Sequence, residues 1–235
     1  MTTIAANLQA VRNRIERAAR EAGRPISDVT LIAVSKTFPP EYVAEAYAHG
    51  QRAFGENYVQ EALEKIARLA HLDLEWHFIG PVQSNKTRAI AENFDWLHSL
   101  EREKIAVRLN AARPPRRPPL NVCIQVNVSG EHSKAGVSPG SELALARTVI
   151  ALPRLKLRGL MAIPEPSSDV GLQRRRYALL REMRNNLAAA GIFLDTLSMG
   201  MSEDLEAAIA EGATIVRVGT AIFGRRNQSP AISAR

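Results

Sequence analysis

The sequence predicts an α/β fold, a single (β/α)8 barrel with an additional N-terminal helix. Short apolar runs alternate eight times with segments of helical spacing along the 235-residue chain, a pattern typical of parallel α/β architectures. The length is close to the roughly 250 residues of such barrels. No Gly-x-Gly-x-x-Gly motif follows the first run, which weighs against the competing architecture, an open doubly wound sheet. We therefore expect one domain over residues 1–235.

The apolar and β-rich runs predict strands at residues 29–36, 52–56, 75–80, 94–99, 121–128, 156–163, 195–199 and 214–219. Helical spacing predicts helices at residues 41–49, 58–70, 85–93, 101–112, 141–152, 171–190 and 203–211. A further amphipathic segment at residues 4–22 precedes the first strand and ends at Gly23, a natural C-cap. We expect this N-terminal helix, within residues 1–23, to cover the bottom of the barrel.

Composition and charge restrict the classes of partner. The net charge of +7 favours anionic ligands, but only 5% of the residues are aromatic, so stacking platforms for nucleic-acid bases are scarce. The densest basic run, the Arg/Pro loop at residues 113–119, contains no aromatic residue. It predicts a solvated, stiff loop rather than a nucleic-acid-binding arm. Nucleic acid is therefore a disfavoured partner, and anionic small molecules remain candidates.

Other global features point to a cytoplasmic protein without a metal. No stretch approaches the roughly 18 apolar residues of a membrane span, and the single cysteine, Cys123, cannot form an internal disulfide. We expect residues 226–235 to form a flexible tail. The histidines and carboxylates show no metal-ligand spacing, so we expect no metal site.

Lys36 is the first candidate for chemistry. It follows the apolar run at residues 29–35 directly, and therefore lies at the carboxyl end of the first predicted strand, where parallel barrels build their sites. Partial desolvation there favours the neutral amine, which can form a Schiff base with an aldehyde. The alternative is a lysine that caps an exposed strand end.

The loops after the seventh and eighth predicted strands have the character of an anion site. Ser198, Gly200 and Ser202 lead from one strand into a helix, and Gly219 and Thr220 follow the other strand. Glycine allows a close approach of the backbone to a ligand, and barrels frequently hold phosphate in these two loops. A simple helix N-cap is the alternative role of Ser202.

A lysine at the first strand and a phosphate site at the last two strands together describe a site for pyridoxal 5'-phosphate (PLP), whose aldehyde and phosphate lie at opposite ends of one ring. Arg217 lies at the tip of the eighth strand, where an acidic residue would protonate the pyridine nitrogen. An arginine can only donate a hydrogen bond to that nitrogen, which leaves the ring neutral and weakens its capacity as an electron sink.

Six stretches carry a resemblance to a known family: residues 33–37 (AVSKT), 54–58 (FGENY), 76–86 (WHFIGPVQSNK), 159–161 (GLM), 197–204 (LSMGMSED) and 217–224 (RVGTAIFG). They resemble the pyridoxal phosphate homeostasis proteins, a family similar to the N-terminal barrel of alanine racemase. The resemblance covers almost the whole chain, and the Arg/Pro loop is its least family-like part. It implies covalent PLP binding as an aldimine and a role in vitamin B6 balance, with PLP-dependent apo-enzymes as recipients.

The resemblance also implies individual roles. It makes Lys36 the aldimine lysine, Asn57 a contact near the ring and Arg217 the partner of the pyridine nitrogen. The implied phosphate contacts are Ser202, Gly219 and Thr220, in a loop shaped by Ser198 and Gly200.

Two functions remain open: a PLP carrier in cofactor homeostasis, and a PLP-dependent enzyme such as an amino acid racemase. Racemisation by two bases needs a second base opposite Lys36, and in racemases that tyrosine comes from a domain that has no counterpart here. We therefore favour binding over turnover, assign no catalytic residue and expect a monomer. We expect His77 to be a hydrogen-bonded histidine of the barrel interior, and Lys86 and Lys134 to be solvated loop residues.

Overall fold

The computed structural model describes residues 3–130 and 135–224. In these ranges, eight parallel strands form a closed barrel in chain order, β1 to β8, with β8 beside β1. The strands are β1 Thr30–Val34, β2 Ala53–Glu56, β3 Glu75–Phe78, β4 Trp96–Leu100, β5 Leu120–Gln125, β6 Leu155–Met161, β7 Thr196–Ser198 and β8 Ile215–Val218. The predicted (β/α)8 barrel is confirmed.

The strands bury both faces, as expected when helices cover a parallel sheet. Ile32 and Val34 of β1 point into a cluster inside the barrel, whereas Ala33 between them belongs to the layer between strands and helices. Trp96 and Met161 also belong to the inner cluster. The alternation of side chains along a strand therefore decides which residues reach the barrel interior.

Helices surround the barrel in the described ranges: α1 Ile4–Glu21, α2 Pro40–Ala48, α3 Val59–Arg68, α4 Thr87–Asn93, α5 Glu103–Ala112, α6 Glu142–Ile150, α7 Val170–Ala189, α8 Leu205–Ala210 and α9 Thr220–Phe223. Short 3-10 helices occupy Ile26–Asp28 and Ser84–Lys86. The short helix α9 after β8 is absent from the sequence-based prediction, because four residues carry no helical periodicity.

The N-terminal helix α1 does not cover the bottom of the barrel. It packs against α2, α8 and α9 in the outer helical layer. Asn7 donates to the backbone oxygen of Ile222 in α9, and Arg24, just beyond α1, donates to the backbone oxygen of Ala213 ahead of β8. Because α9 has only four residues, α1 lies between α8 and α2, in the place that the eighth outer helix of a barrel would take.

The Arg/Pro loop is anchored rather than fully solvated. Arg113 is 2% exposed and donates to three backbone oxygens, those of Pro118, Ala91 and Phe94, at 2.7–2.8 Å. Arg116 in the same loop is exposed, as expected. Arg113 therefore joins the end of α5 to α4, and Arg117 adds a second anchor by donating to Asp95 Oδ1 at 2.8 Å.

Two predictions concern residues outside the described ranges, namely the tail at 226–235 and the loop lysine Lys134. Among the described residues, no helix is both long enough and apolar enough to cross a membrane.

Candidate functional site

A cavity of about 490 Å³ opens at the carboxyl ends of the strands. Ile79 after β3 and Ile163 after β6 contribute apolar walls, and the acidic residues Glu203 and Asp204 also line it. Six of the eight residues predicted for the site line this cavity: Lys36, Asn57, Ser202, Arg217, Gly219 and Thr220. The predicted residues of β1, β2, β7 and β8 thus meet at one mouth of the barrel.

Ser198 and Gly200 lie beneath the cavity rather than in its wall. Ser198 is fully buried at the end of β7. Gly200 has φ +94°, and a Cβ atom there would lie 2.6 Å from the Cβ of Ala208. Its backbone oxygen accepts from the Arg217 amide at 2.9 Å. Both residues therefore support the loop that carries Ser202, and their role in holding a phosphate stays a prediction.

Lys36 sits in a turn that charged side chains hold in place. Its neighbour Thr37 has φ +68°, in the left-handed region that a β-branched residue rarely adopts. The Thr37 amide donates to Glu61 Oε1 at 2.5 Å, and the Ser35 hydroxyl donates to Glu56 Oε1 at 2.6 Å. Both residues that flank Lys36 are thus fixed by carboxylates.

Lys65 of α3 joins these contacts into one cluster. It is 2% exposed, and its ammonium donates to the backbone oxygen of Ser35 at 2.7 Å, to Glu56 at 2.7 Å and to Glu61 at 2.6 Å. Burial raises the pKa of Glu56, an effect that Lys65 and Ser35 oppose. Sequence reasoning missed Lys65, although its i,i+4 spacing from Glu61 on a helix was visible.

Asn57 presents an unsatisfied oxygen in the cavity region. Its Oδ1 is buried and has no hydrogen-bond partner among the described residues. The backbone of Asn57 packs tightly against Gly80, where a Cβ atom would lie 2.2 Å from the Asn57 backbone oxygen. Buried polar atoms are rarely left without a partner, so a donor from outside the protein, either water or a ligand, can satisfy this oxygen.

The loop after β7 is ordered by Asp204. Its Oδ1 accepts from the Met201 amide at 2.6 Å, and its Oδ2 accepts from the Tyr177 hydroxyl at 2.7 Å. Asp204 also occupies the N-cap position of α8, so the alternative role of Ser202 as that N-cap is excluded. The Ser202 backbone oxygen instead accepts from Arg14 of α1 at 2.9 Å.

Gly219 and Thr220 complete the opposite wall. A Cβ atom at Gly219 would lie 3.1 Å from the Val34 backbone oxygen, so a larger residue there would press on β1. Thr220 begins α9 and is exposed. The backbone of this loop therefore approaches the end of β1 closely and leaves the Thr220 hydroxyl accessible.

Arg217 points into the barrel, as the alternation along β8 predicts. It is 3% exposed and donates to the Ser198 hydroxyl at 2.6 Å and to the Ala162 backbone oxygen at 2.8 Å. Within the described ranges, no carboxylate forms an ion pair with it. Burial lowers the pKa of its guanidinium, but an arginine remains a donor without acceptor capacity.

The other candidates lie away from the cavity. His77 of β3 is buried, and its Nδ1 lies 2.9 Å from His98 Nε2, in line with the interior histidine predicted from sequence. Lys86 ends the 3-10 helix Ser84–Lys86 and is not among the cavity residues. The described ranges contain no group of three or more His, Cys, Asp or Glu residues that could hold a metal ion.

Comparison with known proteins identifies the family. Residues 6–227 match the family model described as alanine racemase, N-terminal domain. The pyridoxal phosphate homeostasis protein of Pseudomonas aeruginosa is 60% identical over 227 residues, which cover 97% of each chain. That of Escherichia coli K12 is 53% identical over 237 residues, with 97% of this chain and 99% of the relative covered. The chain belongs to the pyridoxal phosphate homeostasis proteins.

A solved structure of this type carries a ligand. PipY of Synechococcus elongatus, whose structure was determined with PLP bound, is 39% identical, with a TM-score of 0.82 over 94% of this chain and 100% of that chain. The family resemblance indicated by the six sequence stretches is thus confirmed.

Proposed function

We propose that this chain binds PLP in the barrel-mouth cavity, as a Schiff base on Lys36, and acts in intracellular PLP homeostasis without conventional turnover. The observation that carries the proposal is the convergence of Lys36, Asn57 and Arg217 with the two Gly-hydroxyl loops on one cavity of about 490 Å³. The PLP-bound structure of PipY and the names of the curated relatives support it.

The donor set of the cavity fits PLP. The cofactor needs an amine for its aldehyde, donors for its phosphate and a partner for its ring nitrogen. Lys36 supplies the amine, and Arg217 supplies N–H groups in the barrel interior. Ser202, Gly219 and Thr220 offer hydroxyl and backbone donors at the β7 and β8 loops. Asn57 Oδ1, which lacks a partner among the described residues, would accept from a donor group on the ring.

The chain's own residues determine what this site can do. Bound PLP supplies an electron-withdrawing ring that stabilises negative charge next to an imine. Arg217 can only donate a hydrogen bond to the ring nitrogen, so the ring keeps a weak withdrawing capacity. The cluster of Lys65, Glu56 and Glu61 orients the turn that carries Lys36. These features favour retention of the cofactor over carbanion chemistry.

The tyrosines support a carrier rather than a racemase. None of them is among the residues that line the described cavity. The Tyr177 hydroxyl donates to Asp204, and burial raises its pKa, so it stays protonated and offers no phenolate to act as a base. Tyr42 and Tyr58 are exposed. Transfer of PLP to apo-enzymes, a cytoplasmic location and a monomeric state form part of the same proposal.

The test is absorbance of purified protein titrated with PLP, followed by borohydride reduction and peptide mapping. We expect an imine band in the wild type and in Lys86→Ala, the matched control, with the reduced adduct on Lys36. Lys36→Ala should lose the band. An adduct that is spread over other lysines and survives Lys36→Ala would overturn the proposal, as would racemisation at a rate comparable to that of dedicated enzymes.

A further inference from the structure

A chain of polar contacts runs through the barrel interior from the cavity to the opposite mouth. It begins at Arg217, which donates to Ser198 Oγ at 2.6 Å. Ser198 Oγ lies 2.8 Å from His98 Nδ1. His98 Nε2 in turn lies 2.9 Å from His77 Nδ1. The four residues are at most 3% exposed, so these contacts lie away from bulk water.

The series of polar contacts ends at Glu75, the first residue of β3 and thus at the mouth opposite the cavity. His77 Nε2 makes no hydrogen bond of regular geometry within the described ranges, but it lies 3.3 Å from Glu75 Oε2. The other oxygen, Glu75 Oε1, accepts from Trp96 Nε1 at 2.7 Å. The contact with His77 lowers the pKa of Glu75, so this end of the chain is a carboxylate.

The donors and acceptors of these contacts are satisfied when every hydrogen bond is donated in the direction from Arg217 towards Glu75. Arg217 can only donate, so Ser198 Oγ accepts from it and its own O–H can donate to His98 Nδ1. A neutral His98 then carries its proton on Nε2 and donates to His77 Nδ1. His77 carries its proton on Nε2, which faces Glu75 Oε2. Burial lowers the pKa of His98 well below 6.5, which agrees with a neutral ring.

The reverse direction leaves groups unsatisfied. If His98 donated from Nδ1, Ser198 Oγ would receive two donors, and its O–H would have no acceptor among the described residues. A neutral His77 would then present the lone pair of Nε2 to the Glu75 carboxylate. Ser198 is fully buried, so a hydroxyl without an acceptor is costly there, whereas the half-exposed Glu75 contributes a weaker repulsion; both effects favour one direction.

We propose that Glu75, His77 and His98 are positioning residues that act on Arg217 across the barrel: they hold the Ser198 hydroxyl with its hydrogen directed at His98, which strengthens its oxygen as an acceptor for the guanidinium. This inference rests on the proposed function, because Arg217 is the assigned partner of the PLP ring nitrogen. Its structural part, the direction in which these hydrogen bonds are donated, is measurable without PLP.

Glu75→Gln tests the direction, because Trp96 controls which way the amide points. Trp96 Nε1 requires an oxygen as acceptor, so the amide NH₂ faces His77 Nε2 and replaces an acceptor by a donor. His77 must then carry its proton on Nδ1 and donate to His98 Nε2, so His98 must also carry its proton on Nδ1. In Glu75→Gln/Trp96→Phe the amide is free to turn its oxygen to His77, so the original tautomers should return.

The readout is ¹⁵N NMR of the histidine rings in the ligand-free protein. A background with His49, His71 and His132 replaced by Gln leaves only two of the five histidines, His77 and His98. We expect the Nε2–H tautomer for both, the Nδ1–H tautomer for both in Glu75→Gln, and the Nε2–H tautomer again in the double variant. Glu45→Gln, on the exposed side of α2, is the matched control and should leave both unchanged.

A titration with PLP gives the second readout. Glu75→Gln should weaken PLP binding about three- to tenfold, because a Ser198 hydroxyl that accepts from both Arg217 and His98 and donates to neither is a weaker acceptor for the guanidinium, whereas Glu45→Gln should not change it. Unchanged tautomers in Glu75→Gln, or an Nδ1–H tautomer of His98 in the wild type, would overturn the direction. Inverted tautomers with unchanged affinity would overturn the positioning role. Failure of the wild type to bind PLP would overturn the proposed function and leave the tautomer pattern standing.

Discussion

The ammonium of Lys65 lies 2.7 Å from the backbone oxygen of Ser35, the residue that precedes Lys36. The same ammonium contacts Glu56 and Glu61. A buried cation on α3 therefore holds the turn at the end of β1, and the geometry of the proposed PLP lysine depends on a helix that does not line the cavity.

Removing this cation should be costly. In Lys65→Met, Glu56 keeps a buried charge without its partner, and loss of one member of a buried pair typically costs about 3–5 kcal/mol. We expect that loss in the free energy of unfolding, measured with urea. Glu56→Gln/Lys65→Met should recover about half of it, because no uncompensated charge remains. A double variant as unstable as Lys65→Met alone would contradict this explanation.

Glu56 should give the protein a measurable pH dependence. Burial raises its pKa above the ordinary value of 4.5, against the opposing effect of Lys65. The folded state therefore binds this proton more tightly than the unfolded state. Its contribution to stability is complete below pH 4.5 and is lost as the pH rises through the raised pKa. The difference in unfolding free energy between wild type and Glu56→Gln should fall over that range, whereas the difference for Glu45→Gln should stay constant.

The Arg/Pro loop offers a matched pair of arginines. Arg113→Ala removes a donor to three backbone oxygens and should lower the unfolding free energy by about 2–4 kcal/mol. Arg116 is exposed, and Arg116→Ala should change the unfolding free energy by less than about 0.5 kcal/mol. Equal effects in urea unfolding would mean that charge, rather than the buried contacts, determines the contribution of this loop.

Two glycines separate backbone strain from steric clash. Gly200 and Gly191 both have positive φ, +94° and +84°, but only at Gly200 would a Cβ atom meet another atom closely, Ala208 Cβ at 2.6 Å. Gly191→Ala should cost about 1 kcal/mol, and Gly200→Ala about 2–3 kcal/mol. Thermal unfolding measures both. Only Gly200→Ala should also weaken PLP binding, because it shifts the loop that carries Ser202.

Asn57→Ala should weaken PLP binding with little change in the stability of the ligand-free protein. The Asn57 Oδ1 has no hydrogen-bond partner among the described residues, so its loss should change the unfolding free energy of the ligand-free protein by less than about 1 kcal/mol. If a donor group of PLP satisfies this oxygen, affinity should fall about three- to tenfold. Full affinity of Asn57→Ala in an absorbance titration would show that the oxygen faces no part of the cofactor.

The sequence allowed the barrel and the residues at its mouth to be predicted, because strand alternation and strand ends follow from local periodicity. Lys36 and Arg217 were placed correctly on that basis. The burial of Lys65 and His98 was not predicted, since the local sequence does not show whether tertiary contacts bury a polar residue on a helix or within a strand. The periodicity of α1 indicated an apolar face without indicating what covers it, so its position beside α8 and α9 was missed.

The place of α1 has a consequence for how the chain acquires its structure during synthesis. Leu8, Val11 and Ile15 form its buried face, and two of its partners, α8 and α9, follow the seventh and eighth strands in the sequence. The face therefore stays without these partners until nearly the whole barrel has been made, a period in which apolar surface invites aggregation. In a circularly permuted chain that starts at β1, α1 would follow α9 in sequence and meet both partners as soon as it emerged.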